Sequence, residues 1–533
     1  MKKLQNIEKG IFIPALIVVI LLILPLYLFP KQSAYMIQLL YAFCTQKLGW
    51  LYIVTCLTSF GFLLWLTFSK YANVKFGKPE EKPEHSNFAW IAMMFTAGVG
   101  ASIVIMGFLE PLYYLMDPPL SIEPYSQKAY EYAHMYGQFH WGLSAWNFYN
   151  PAIVAVAYAM FVRKEKKMRI STACRPILGK KVDGWFGHLI DIFVIFGIIG
   201  SIGTSLGIGT PVVSDIIREV FNIGKAYELQ VQIVVLGIWI LLFTGTLYLG
   251  LEKGLKNLST FNVWLAFAVM FFILFAGPTV SMIKSEINSL GLYASNFIRM
   301  NTYMPAYKNE SFVERWTIFY WGWWIAFMPM MGMFVARISR GRTIKNVIWG
   351  QLIWGTLGCC SSFMIFGGYS LYLQENGIVD VATILKTEGQ SQAVIAILRT
   401  LPFSKIVMIV ICLLCFIYLA TTIDSCAYVL AGTTTKSIGR KEEPARWNRI
   451  LWSLIFCALS IGLMIIGGLK AIETVSIIVA VPLIGVIFLL ICSTAKILKE
   501  DDKEKIEEVV IVLDDKKEKE EISEETMGVM DVL

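Results

Sequence analysis

The sequence predicts an all-α membrane protein of about twelve transmembrane helices. Three observations carry that prediction. Hydrophobic residues make up 56% of the 533 residues and charged residues only 16%, against about 25% charged in an average soluble domain. Several apolar runs are long enough to cross a bilayer unaided, among them IFIPALIVVILLILPLYLF (11–29) and LGWLYIVTCLTSFGFLLWLTF (48–68). Basic residues gather at alternate breaks between runs, most heavily in VRKEKKMR (162–169), ARISRGR (336–342) and GRKEEPARWNR (439–449).

Read in chain order, the spans are expected at 11–29, 48–69, 88–116, 137–162, 186–217, 229–251, 257–282, 313–336, 344–373, 396–434, 447–468 and 471–495. The first has the length of a leader peptide but no small-residue cleavage site, and further spans follow at once, so it reads as a retained helix. The third, fifth and tenth exceed the usual ~20 residues and must tilt, bend or extend past the lipid. Lys2, Lys3 and Lys9 precede the first span, and the basic breaks follow even-numbered spans, whereas DPPLSIEPYSQKAYE (117–131) follows an odd one. The positive-inside rule then puts both termini in the cytoplasm of a cell (plasma) membrane protein. SEINSLGLYASNFIRM (285–300) is amphipathic and too polar to cross, which suits an interfacial helix on the outer surface.

These limits divide the chain into a cytoplasmic N-terminus (1–10), two peripheral spans (11–87), a first five-span half (88–282), an extracellular interfacial helix and loop (283–312), a second five-span half (313–495) and a tail (496–533). The tail mixes both signs of charge densely, the composition of a solvated, disordered segment.

Several function classes fall away. Most of the ten cysteines lie inside apolar runs, where they act as small hydrophobes; Cys412 and Cys415 form a lone C-x-x-C with no second pair and no basic neighbour. The four histidines have no metal-binding spacing, and no nucleophile–base pair or phosphate-binding glycine loop is present. An enzyme is therefore not expected, nor a cofactor other than a sodium ion. The net charge of +7 follows from the basic loops and implies no nucleic-acid partner.

Two spans carry helix-disrupting residues. The third contains FTAGVGASIVIMG (95–107), with Gly98 and Gly100; the eighth contains AFMPMMGM (326–333), with Pro329 and Gly332. Proline removes a backbone donor and glycine tolerates unusual dihedrals, so both spans are expected to unwind locally. Such backbone survives at membrane depth only where it lines a cavity or is buried in protein. Five spans separate the two, so they run in opposite directions and would begin two inverted repeats. The other reading is that these are packing contacts between helices, as for GSIGTSLGIGTP (200–211) in span 5.

The aromatic pattern gives the chemistry. In FYWGWWIAFMP (319–329), Trp323, Trp324 and Phe327 fall near the middle of a span, although membrane tryptophans usually sit at its ends. Trp324 lies about 12 Å along the axis from Trp316. HWGLSAWNFY (140–149) adds Trp141, Trp146 and Tyr149, and EPLYY (110–114) adds Tyr113 and Tyr114. Trp146 and Tyr149 share a helix face, whereas Trp141 matches that face only if the helix bends. Packing and interface-belt roles remain open for the span 4 rings. A convergent aromatic cage suits a cation without N–H groups, because ring faces attract it at roughly 0.5–2 kcal/mol each and need no ionised partner in the membrane.

These residues resemble the betaine/choline/carnitine transporter (BCCT) family, over nearly the whole chain. The most specific stretch is YWGWWIAFMPMMGMFVARISRGRT (320–343); HWGLSAWNFY, EPLYY, GTSLGIGTP (203–211) and GGLKAIETVSIIVAVP (467–482) support it. The resemblance implies twelve helices with a five-plus-five inverted repeat, a LeuT-like core in spans 3–12, and a homotrimer. It implies that Trp141, Trp146, Tyr149 and Trp324 surround a trimethylammonium group or line its path, with Trp323, Phe327 and Tyr113 also lining the site. A substrate carboxylate would meet backbone N–H groups at Ala97, Gly98 and Gly100. Phe327 stands where relatives carry Trp or Tyr. Ser102 replaces the aspartate of proton-coupled choline carriers, which argues against choline.

For coupling, Thr421 and Thr422 match the paired hydroxyls of sodium-coupled relatives, with carbonyls near Thr96 and Val99 as further oxygen ligands. Met331 instead matches the sodium-independent carnitine exchangers, while Asn262 replaces an arginine that those exchangers carry. Asp424 is expected to cap a helix or hydrogen-bond within the bundle, in preference to coordinating an ion. The sequence therefore reads as a secondary active transporter for glycine betaine, carnitine or a related betaine, sodium-coupled in preference to exchanging. An osmosensor or receptor that binds betaine is the alternative of another class.

Overall fold

The computed structural model describes residues 6–249, 256–305, 311–437, 443–467 and 474–502, and every named element among them is a helix. Its elements begin with α1 (Lys9–Leu28) and α2 (Pro30–Phe68). The latter starts well before the expected residue 48, because Pro30 supplies a pre-set first-turn φ and α2 then runs unbroken for 39 residues.

The third span is a broken helix, α3 (Asn87–Val99) and α4 (Ser102–Met116), bent by 57°. Gly100 takes φ 58° at the break, in the region that favours glycine. The fourth span is also broken, into α5 (Gln127–Trp141), α6 (Leu143–Asn147) and α7 (Asn150–Phe161). After the short turns α8 (Ile170–Ala173) and α9 (Arg175–Leu178), α10 (Trp185–Phe221) continues for 37 residues through Pro211. Its glycines pack: a Cβ on Gly200 would come within 2.9 Å of Val479, and one on Gly209 within 2.8 Å of Leu419. The helices α11 (Glu228–Leu249), α12 (Lys256–Ala276) and α13 (Thr279–Thr302) follow.

The second half opens with a π-helical turn, Val313–Thr317, leading into α14 (Ile318–Ile338). Next come α15 (Ile344–Ser362), a π turn at Phe363–Gly367, α16 (Gly368–Glu375), α17 (Val381–Thr387) and α18 (Gln390–Arg399). The series ends with α19 (Ser404–Thr433), α20 (Arg446–Gly467) and α21 (Thr474–Asp502). Among the described residues, nine helices are long and apolar enough to cross a membrane, and the α3–α4 pair makes a tenth candidate. The other two expected spans fall on the broken α5–α7 segment and on α20. At the centre, α10, α14 and α19 pack on one another, with α7 against α14.

Three expectations need correction. First, α14 does not unwind at Pro329: it is helical from Ile318 to Ile338 and buried at every residue except Arg337. Protein on all sides holds the turn that proline weakens, and Gly332 serves close packing, since a Cβ there would sit 2.5 Å from Ala152 Cβ. Second, the tenth span begins at Ser404 and not near 396, because Pro402 and the left-handed Phe403 (φ 56°) separate it from the amphipathic α18. Third, the seventh span stops at Ala276, before Pro278, so the interfacial helix starts at Thr279. This helix docks on α5, where Gln138 donates to Glu286 at 2.5 Å and His134 Nδ1 lies 2.6 Å from Ser289 Oγ. The tail beyond 502 lies outside the described residues.

Candidate functional site

The break after α5 organises the aromatic cluster. Because α5 ends at Trp141, the carbonyl of His140 has no partner further along the helix. Trp324 Nε1 donates to it at 2.9 Å, tying the middle of α14 to the broken end of α5. A Cβ on Gly142 would sit 2.7 Å from the Tyr293 hydroxyl, so the turn that redirects the chain towards Trp146 has room for glycine alone.

Trp141, Trp146, Tyr149 and Trp324 are all at least 98% buried and form one connected group. Trp141 meets Trp324 edge to face with ring centroids 4.9 Å apart; Tyr149 lies 6.4 Å from Trp324 at 90°, and Trp146 lies 5.7 Å from Tyr149 at 88°. Trp323 stacks flat on Trp324 at 5.1 Å and 7°, backed by Phe319 at 5.6 Å. Trp146 stacks on Phe95 of α3, and a Cβ on Gly98 would come within 2.9 Å of both Trp146 and Met331. Phe327 is buried one turn beyond Trp323.

Tyr113 is not part of this group. Its ring packs on Trp316 at 5.2 Å and its hydroxyl accepts from Gln390 Nε2 at 3.1 Å. Helical phase turns its neighbour Tyr114 inward instead. Tyr114 Oη bonds Glu110 Oε1 and lies 2.7 Å from His140 Nδ1. Glu110 Oε2 also accepts from Trp141 Nε1 at 2.6 Å and from Tyr320 Oη at 2.6 Å. This fully buried carboxylate, with His140 and Tyr320, is what reading the sequence missed; of its partners only Tyr114 and Trp141 stood among the expected aromatics. The available signal was an acid in the middle of an apolar run, which is functional by default.

At the α3 break, α3 stays helical through Val99, so the amides of Ala97 and Gly98 are within the helix. In the first turn of α4 the N–H groups of Val104 and Ile105 donate to the Ala101 carbonyl, which leaves those of Ser102 and Ile103 without helical acceptors, beside the Ser102 hydroxyl, which is buried and makes no hydrogen bond. Ala97 and Gly98 thus lie inside the helix, and Gly100 lies at the break. The Thr421 and Thr422 hydroxyls both donate back to Tyr418 O, at 2.8 and 2.9 Å, and Thr422 Oγ1 also lies 3.5 Å from the Thr96 carbonyl. Thr96 Oγ1 donates to Ser259 of α12 at 2.9 Å. One turn along α12, Asn262 is fully buried with neither amide atom hydrogen-bonded. Asp424, by contrast, pairs with buried Arg449.

A cleft of about 410 Å³ between α3, α12, α15 and α19 is lined by Phe88, Phe267, Met270 and Trp354 and presents few polar groups to a zwitterion. Among the described residues, no group of three or more His, Cys, Asp or Glu side chains is placed to hold a metal ion.

Two kinds of comparison bear on this arrangement. The sequence model described as "BCCT, betaine/carnitine/choline family transporter" matches residues 10–503. The chain is 32% identical over 446 residues to an uncharacterized transporter, YeaV, of Escherichia coli strain K12, covering 84% of this chain and 92% of that protein. It is also 32% identical over 503 residues to an ectoine/hydroxyectoine transporter of Virgibacillus pantothenticus, covering 94% and 98%. With its helical architecture and buried aromatic cluster, the chain belongs to the betaine/carnitine/choline transporter family and is a multi-pass membrane transporter, not an enzyme.

Proposed function

We propose that the protein is a sodium-coupled secondary transporter in the cell membrane, with both termini cytoplasmic, that moves a small quaternary-ammonium zwitterion, glycine betaine first and carnitine or another betaine next. The observation that carries this reading is the buried group of Trp141, Trp146, Tyr149 and Trp324, backed by Trp323. A trimethylammonium group makes no conventional hydrogen bond, so indole and phenol faces are its natural surroundings. A cation held between two faces lies within about 6 Å of each centroid. Trp141 and Trp324, at 4.9 Å, touch one another, so seating the headgroup between them requires these rings to part. Alternating access through the broken α3–α4 and α5–α7 segments supplies such a motion. The substrate carboxylate would use the N–H groups and Ser102 hydroxyl at the start of α4.

Sodium coupling is supported by oxygen donors around the α3 break: the Thr96 carbonyl, Thr422 Oγ1 and the Val99 carbonyl at a helix end. A hard cation suits such a set, and when bound it would supply positive charge that favours closure of the break. Met331, packed against Gly98, favours the second reading, sodium-independent exchange. The name of the Virgibacillus relative supports ectoine as a competing substrate. The test is uptake into proteoliposomes of labelled glycine betaine, carnitine and ectoine, with and without sodium. Sodium-dependent betaine uptake is expected. Uptake of ectoine alone, or uptake only after preloading with substrate, would overturn the reading.

A further inference from the structure

One buried acid is hydrogen-bonded to the edges of the aromatic group. Glu110 is fully buried. Its Oε2 accepts from Trp141 Nε1 and Tyr320 Oη, both at 2.6 Å, and its Oε1 bonds the Tyr114 hydroxyl. Among the described residues, the only group able to carry positive charge within 4 Å is His140, whose Nδ1 lies 3.5 Å from Oε1. Both donors on Oε2 belong to the cage: Trp141 contacts Trp324 at 4.9 Å, and Tyr320 stacks beside Trp324 at 5.9 Å.

We propose that Glu110, hydrogen-bonded to Trp141, Tyr320 and Tyr114, is an anion when a cationic headgroup occupies the cage and acts through those rings as a specificity-determining positioning residue, making the cage selective for a cation over an uncharged group of the same shape. This rests on the quaternary-ammonium reading above. The physical reason is a division of labour. A carboxylate facing a trimethylammonium group directly would lose its hydration and gain no hydrogen bond in return. Set one hydrogen bond back, it is satisfied by three donors. Its charge still acts across low-dielectric surroundings, and short N–H and O–H bonds to an anion make the donating rings more electron-rich. A neutral guest gains nothing from this.

Glu110→Gln isolates the charge. The Gln carbonyl oxygen can accept from Trp141 and Tyr320, and its amide can donate to Tyr114, whose proton then turns to His140 Nδ1. The network persists without its charge. The experiment compares two ligands on the purified full-length protein by calorimetry: glycine betaine and 3,3-dimethylbutyrate, its carbon isostere with the same carboxylate. Wild type is expected to prefer betaine, and Glu110→Gln to lose roughly tenfold in betaine affinity with dimethylbutyrate unchanged. Glu110→Asp, which keeps the charge on a shorter arm, is expected to retain the preference ratio even if both ligands bind more weakly. Unchanged betaine affinity in Glu110→Gln, or an equal loss for both ligands, overturns the inference. Wild-type protein that binds neither betaine nor carnitine sinks the substrate reading, and the inference with it.

Discussion

Replacing Trp324 separates the two tasks that the structure gives this side chain. Its N–H fills the hydrogen bond to the His140 carbonyl at the end of α5, and its face meets Trp141 and Tyr149. Trp324→Phe keeps an aromatic face but leaves that buried carbonyl without a donor, a cost of about 1–3 kcal/mol in stability. Trp324→Leu removes the face as well, and with it one cation–π contact of about 0.5–2 kcal/mol, or roughly two- to thirtyfold in affinity for a trimethylammonium substrate. The two variants should therefore melt at similarly lowered temperatures and differ in binding. The assay is betaine affinity by tryptophan fluorescence together with initial uptake in proteoliposomes, normalised to reconstituted protein. Wild-type uptake and affinity in Trp324→Leu would refute the cage as the substrate site. Equal loss of binding in both variants would assign Trp324 a purely structural task.

Other perturbations read other parts of the molecule. Thr422→Ala removes a hydroxyl beside the α3 break and should raise the sodium concentration for half-maximal uptake about tenfold, with Thr422→Ser close to wild type; sodium titration of uptake checks it. Asp424→Asn leaves buried Arg449 with Glu443 as its remaining carboxylate partner and should destabilise the fold by about 1–3 kcal/mol, seen as lowered thermal stability with unaltered sodium dependence in the folded fraction. Burial pushes the Glu286 carboxyl up to about 7, against the hydrogen bond from Gln138 that pulls it down. The folded state then holds this proton more tightly than the unfolded chain does, so its contribution is fully present below about pH 4.5 and is lost as pH rises through about 7. Hydrogen exchange of α13, corrected for intrinsic rates, should accelerate across that window in wild type and much less in Glu286→Gln.

Membrane class, most spans, the break near Gly100 and the presence of aromatic rings deep in the spans were legible because each rests on local properties: hydropathy over about 20 residues, glycine's access to positive φ, and the rarity of midspan tryptophan. Pro329 misled for the opposite reason. Proline weakens a helix locally, yet α14 is buried at every residue except Arg337 and keeps its helix, so surroundings outweighed propensity. Tyr113 and Tyr114 are adjacent, and only the rotation of α4 against α5 decided which one turns towards Glu110.

Glu110 shows the division most clearly. Its own position in the chain announces a costly buried acid, and nothing more. Its donors come from residues 114, 141 and 320, on three different helices, and a hydrogen bond between segments separated by up to 210 residues leaves no periodicity for a sequence to display. The sequence by itself determined the solvent, the helices and the kind of rings this protein owns. Tertiary packing alone decided which rings face one another and which carboxylate is hydrogen-bonded to them, because directional contacts between distant segments exist only once the helices have docked.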